Sequence, residues 1–138
     1  MPQIFRFLNL VFFFATRGEH LPIHVHVSDT DGNQTIFDLI IADGVLTDIK
    51  TRKKTGFDHI NKKNQGLAKA FIFAYYAQIA TKWFQYFVLN QKIKIETVNK
   101  LDNIVVDTEE IASQISELNK HFYPTEKKQP TKTKSTKK

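Results

Sequence analysis

The residues most able to do chemistry are gathered in one short stretch, Glu19-His20-Leu21-Pro22-Ile23-His24-Val25-His26-Val27, which holds three of the chain's five histidines. Ile23 to Val27 alternates apolar and polar residues, the period of a β-strand. Side chains on a strand point to opposite faces in turn, so His24 and His26 are predicted on one face and Ile23, Val25 and Val27 on the other. Two imidazoles so placed could ligate a divalent transition metal, because neutral imidazole nitrogen suits zinc, nickel or iron, with His20 or Glu19 as a further ligand. The same pair, His24 and His26, could instead divide general-acid and general-base catalysis, since an unperturbed imidazole of pKa about 6.5 populates both forms near neutrality. A third reading has both histidines structural, bonded to nearby backbone or carboxylates on a half-exposed strand. His59, beside Asp58, and His121, near the C-terminus, lack a neighbour at ligand spacing and are expected at the surface.

A second group is basic. Arg52-Lys53-Lys54 and Lys62-Lys63 flank Phe57 and, with Arg17, are candidate contacts to the phosphates of a nucleic acid; a solvated loop is the alternative. No Gly-rich phosphate loop, nucleophile elbow or HExxH motif is present. Without cysteine, thiol catalysis, disulfides, Cys-based zinc sites and iron–sulfur clusters are excluded.

These residues need elements to position them. Ile4 to Phe7 and Leu10 to Ala15 are predicted as a hairpin about Leu8-Asn9, where Asn9 suits a left-handed turn position. Asp29 to Asn33 is dense in turn residues, and Gln34 to Ile41 and Val45 to Lys50 make a second hairpin about Ala42-Asp43-Gly44. From Leu67 to Leu89 the period changes: Phe71, Tyr75, Ile79, Trp83 and Phe87 recur at helical steps, with Trp83 expected in the core. Phe73, Tyr76, Phe84 and Val88 widen the apolar face, which implies burial against the sheet and against a C-terminal helix or a partner chain. Ile93 to Val98 alternates again, as an edge strand would. Asp107-Thr108-Glu109-Glu110 reads as a capping box opening a helix with Ile111, Ile115, Leu118 and Phe122 on one face. The expected fold is α+β: an antiparallel meander of about five strands packed on a long aromatic helix, plus a C-terminal helix.

Of 138 residues, 41% are hydrophobic and 25% charged, which suits one domain, placed at 1–124. The net charge of +6 is uneven. Residues 125–138, built only of Thr, Lys, Glu, Gln, Pro and Ser, carry +5, and the rest of the chain carries +1. That lysine-rich tail has nothing apolar to bury and is expected to be disordered. Polar residues Lys69, Gln78, Lys82 and Gln85 argue against a membrane span in 68–89, and the N-terminal apolar run has no cleavage pattern. A cytoplasmic protein that does not enter the membrane is expected.

Met1-Pro2-x-Ile4-x-Arg6-Phe7, the aromatic run Phe12-Phe13-Phe14 and above all His20-x-Pro22-x-His24-Val25-His26-Val27 resemble the small bacterial domain-of-unknown-function family 4160. Its motif reads H-x-P-P-H-V-H-V; here Ile23 stands in place of the second proline. The resemblance covers residues 1–50 well, is looser at Asp43-Gly44-Val45-Leu46 and at Trp83-x-x-Tyr86-Phe87, and does not reach 92–138. It implies a prokaryotic protein encoded beside another short gene, an arrangement like toxin–antitoxin pairs, and it transfers no catalytic role. On that basis the expected function is a toxin–antitoxin-like or defence-associated protein that acts on or binds RNA or a metal through its His cluster. The alternative is a non-catalytic interaction protein whose aromatic helix forms a homodimer or partner interface, the partner being a small protein encoded nearby.

Overall fold

The computed structural model describes residues 2–15, 21–102 and 104–123. Six strands form one sheet in the order β5-β4-β3-β2-β1-β6. They are β1 (Gln3–Phe7), β2 (Leu10–Phe13), β3 (His24–Ser28), β4 (Gln34–Ala42), β5 (Val45–Lys53) and β6 (Glu96–Val98), with α1 (Lys62–Phe87) before β6 and α2 (Thr108–Phe122) after it. The first five strands are an antiparallel meander, as their short connections imply. β6 is a sixth strand added at the edge, parallel to β1. A parallel neighbour needs a long crossover, which the intervening helix and loops supply.

Two turns set the registers. Asp43 and Gly44 both have positive φ, the geometry of the tight two-residue hairpin that Asp-Gly favours. In the β1–β2 turn the positive φ falls on Leu8, not on Asn9. The hairpin therefore uses a turn with the left-handed residue first, a position glycine usually fills. The 29–33 turn is tied by the Asp29 carboxylate, which accepts from the backbone N–H of Asp31 and Asn33 and from the Asn33 side chain. Burial alone would raise its pKa, yet these hydrogen bonds outweigh that and hold the carboxyl below its ordinary 3.8.

α1 covers one face of the sheet. Phe5, Phe7 and Phe12 all meet Phe71, while Phe14 meets Trp83 edge-on. The helix starts at Lys62, five residues before its apolar period begins, because Asn61 caps it by accepting from the Asn64 N–H. At Tyr75 the backbone leaves helical geometry, and the helix kinks there. α2 lies against α1, and Ile111 and Leu118 are buried in the joint. Its cap is Asp107, which accepts from the Glu110 N–H, one half of the capping box. No helix among the described residues is long and apolar enough to cross a membrane. The 125–138 tail lies outside the described residues.

Candidate functional site

Strand pairing determines what surrounds the histidines. Phe13 pairs with His26 and His26 with Ile36, while His24 pairs with Asp38. β5 continues both rows, with Arg52 opposite Ile36 and Lys50 opposite Asp38. Directly paired residues share a face, so two rows, His24–Asp38–Lys50 and His26–Ile36–Arg52, run side by side on one surface. Phe5 and Phe12, on the opposite face, pack on Phe71 of α1, and α1 also reaches His24, at the start of β3, through Trp83. The expectation that His24 and His26 share a face is met: their ring centres are 5.6 Å apart.

A sheet face turned away from its helix is normally polar and wet. Here it is polar and covered. His24, His26, Gln34 and Asp38 are only 3%, 4%, 7% and 7% exposed. Burying polar groups at such sites requires hydrogen bonds, and each of the four has one. His24 Nδ1 lies 2.9 Å from the Pro22 carbonyl, just after the cis Leu21–Pro22 bond, and His26 Nδ1 lies 3.2 Å from Gln34 Oε1. Asp38 receives a two-pronged ion pair from Arg52, at 2.7 and 2.9 Å, the planar fork that guanidinium and carboxylate form best. Phe13 stacks on the His26 ring at 5.4 Å. On its other side, His24 is held by Trp83, which is fully buried as expected. The Trp83 indole N–H donates to the His24 carbonyl, and its ring meets the imidazole edge-on at 5.3 Å.

The hydrogen bonds set the tautomers. A carbonyl oxygen only accepts, so Nδ1 is the donor in both rings, and in the neutral form Nε2 carries the lone pair. Nε2 of each ring is then the nitrogen with the chemistry of a metal ligand. Holding the far ring nitrogen by a carbonyl is the usual support of a metal-binding histidine. Two imidazoles on one tetrahedral ion, with metal–nitrogen distances of about 2.0–2.1 Å, place their ring centres about 5–6 Å apart, which the observed spacing matches. Among the described residues no group of three or more His, Asp or Glu side chains converges on one point. His20 and Glu19, the expected further ligands, and Arg17 lie outside the described residues.

The basic candidates separate. Arg52 belongs to the histidine face through Asp38. Lys53 pairs with Thr35 and so falls on the other face. Lys54 begins the loop to α1 and its carbonyl accepts from the Phe57 N–H, while Lys62 and Lys63 are exposed in the first turn of α1. That loop is fastened to β4: Thr35 Oγ1 accepts from the Ile60 N–H and shares a 2.9 Å hydrogen bond with His59. The four lysines therefore cluster at the end of β5 and the start of α1, and not around the imidazoles. His59 and His121 are exposed, as expected. Sequence reasoning missed Gln34, Asp38 and Lys50. Their only signal was register, and an irregularity between Ile40 and Ile41 hides it: counting back from Asp43-Gly44 would put Ile49, not Lys50, opposite Asp38.

A family model described as Domain of unknown function (DUF4160) matches residues 9–84. The match runs from the β1–β2 turn through Trp83, and so contains every residue of this site. No curated protein and no solved structure matches the chain.

Proposed function

We propose that this chain, which belongs to the DUF4160 domain-of-unknown-function family, holds a divalent transition metal through Nε2 of His24 and His26 and uses that site on RNA, as one member of a toxin–antitoxin-like pair. The observation that carries the reading is the matched support of the two rings: both Nδ1 atoms donate to carbonyl oxygens, 5.6 Å separates the ring centres, and the protein encloses them. A metal-ligating histidine usually has its other ring nitrogen held by a carbonyl, carboxylate or water, and both rings here have that support.

When bound, the ion would act as a Lewis acid on a phosphate oxygen. The chain's own residues account for the rest. Pro22 and Gln34 fix the rings, Trp83 and Phe13 wall them in, and Lys50 brings positive charge to the same face, where the Arg52 charge is balanced by Asp38. Asp38 orients Arg52 and so sets where its remaining N–H groups point. An RNA backbone offers the phosphates that such a face attracts, and binding of this kind weakens steeply with salt.

Metal analysis of the purified full-length protein tests the site. Wild type is expected to retain close to one equivalent of zinc, nickel or iron after gel filtration, and His24→Gln/His26→Gln to retain almost none while keeping its circular dichroism spectrum. Equal retention by both proteins, or none by the wild type after incubation with each metal, would contradict the reading. A non-catalytic interaction role is the second reading, and the exposed Phe73 on α1 favours it.

A further inference from the structure

Away from the histidine face, α1 carries an exposed phenylalanine: Phe73 is 68% exposed. It is not isolated. Phe73, Ala74 and Tyr76 of α1 line a cleft of about 290 Å³ with Val45 and Leu46 of β5 and with Ile104 and Val106 from the approach to α2. Val45 is 48% exposed, and Val105, next to the cleft, is almost wholly exposed. A single exposed apolar side chain means little, but a contiguous apolar cleft marks an interaction surface. Its walls are fixed. Tyr76 donates from its hydroxyl to the Gly44 carbonyl at 2.8 Å, and Gly44 abuts the Thr108 backbone so closely that a Cβ there would overlap it.

Acidic residues predominate around the cleft. Asp102 lines the cleft, Asp43 lies two residues before Val45, and Asp107 and Glu109 flank the Thr108 that abuts the hairpin. All four carboxylates are exposed, and none has an ion-pair partner among the described residues. Lys69, one helical turn before Phe73, and Lys100, two residues before Asp102, are exposed basic residues adjoining the same elements. A second copy seated symmetrically would set acid against acid, which disfavours a two-fold dimer through this surface. The chain's own 125–138 segment is basic but has no side chain suited to an apolar cleft.

We propose that this cleft docks a short amphipathic segment of a different protein, with apolar anchors at its centre and lysine or arginine at its flanks. The inference rests on residues separate from the histidine face, and much of the cleft's third wall lies beyond the family match at 84. Apolar anchors supply affinity at the centre of such an interface, and the charged rim supplies partner choice.

The probe is a fluorescein-labelled helical peptide of about 15 residues with a leucine stripe and a lysine face, read by anisotropy against the full-length protein in physiological salt. A charge-reversed leucine/glutamate peptide is the control. The expected result is saturable binding of the lysine peptide and none of the glutamate peptide. Phe73→Ser and Asp43→Asn/Asp102→Asn should each weaken it by about tenfold or more, a loss of about 1.4 kcal/mol. These positions are exposed, so the fold should tolerate the changes. His24→Gln/His26→Gln should bind the peptide as wild type does, which separates this proposal from the metal site. The proposal is overturned if both peptides bind alike, if neither binds, or if the variants bind the lysine peptide undiminished. It is equally overturned if sedimentation shows the wild type pairing with itself through Phe73.

Discussion

At the scale of single residues, the histidine face depends on which nitrogen of each ring is held. Pro22 and Gln34 do this with carbonyl oxygens, and neither role is visible in the sequence. The pairing of His24 with His26 was legible, because strict alternation leaves a strand no other arrangement. Asp38 and Arg52 were not legible as a pair, since fourteen residues and a hairpin separate them. Gly44 makes the same point in the β4–β5 turn. Its positive φ was foreseeable from Asp-Gly, but its contact with the Thr108 backbone was not. Gly44→Ala should cost at least about 1–2 kcal/mol for the left-handed backbone alone, and more because the new methyl group displaces the start of α2. Urea denaturation followed by circular dichroism would measure it, and a midpoint unchanged from wild type would show that the contact is not made.

At the scale of elements, α1 couples the core to the site. Its apolar steps were readable from Leu67 onward, but its first turn was not, because Lys62-Lys63-Asn64-Gln65-Gly66 has no apolar period; capping by Asn61 starts the helix there instead. The sixth strand was anticipated only as an edge strand. Its parallel partner, β1, cannot be inferred from alternation, which is the same for either direction. Trp83 is where element and site meet, since its ring fills the space among Phe14, Phe87 and Phe122 while its N–H holds the His24 carbonyl. Trp83→Phe keeps most of the packing and removes the donor, so the expected loss is about 1–3 kcal/mol, the cost of leaving a buried carbonyl without that partner. Thermal unfolding would check this; a loss below about 0.5 kcal/mol would mean that the hydrogen bond contributes little.

At the scale of the whole molecule, two faces have different chemistry. One face of the sheet holds paired imidazoles beside Arg52 and Lys50, within the family-matched region. The surface around Phe73 is apolar with an acidic rim, and part of it comes from the segment after α1. Composition alone hid this division, because the folded part is nearly neutral and the net charge reports mainly the 125–138 tail. The central claim is that His24 and His26 present Nε2 lone pairs to one shared ion. Long-range ¹H–¹⁵N correlation of the imidazole nitrogens in full-length protein, recorded as zinc is added, tests it most directly. Both rings are expected to begin with hydrogen on Nδ1, and the two Nε2 resonances to move together and saturate at one zinc per chain. Hydrogen on Nε2 in either ring, or Nε2 resonances that do not respond to zinc, would contradict it.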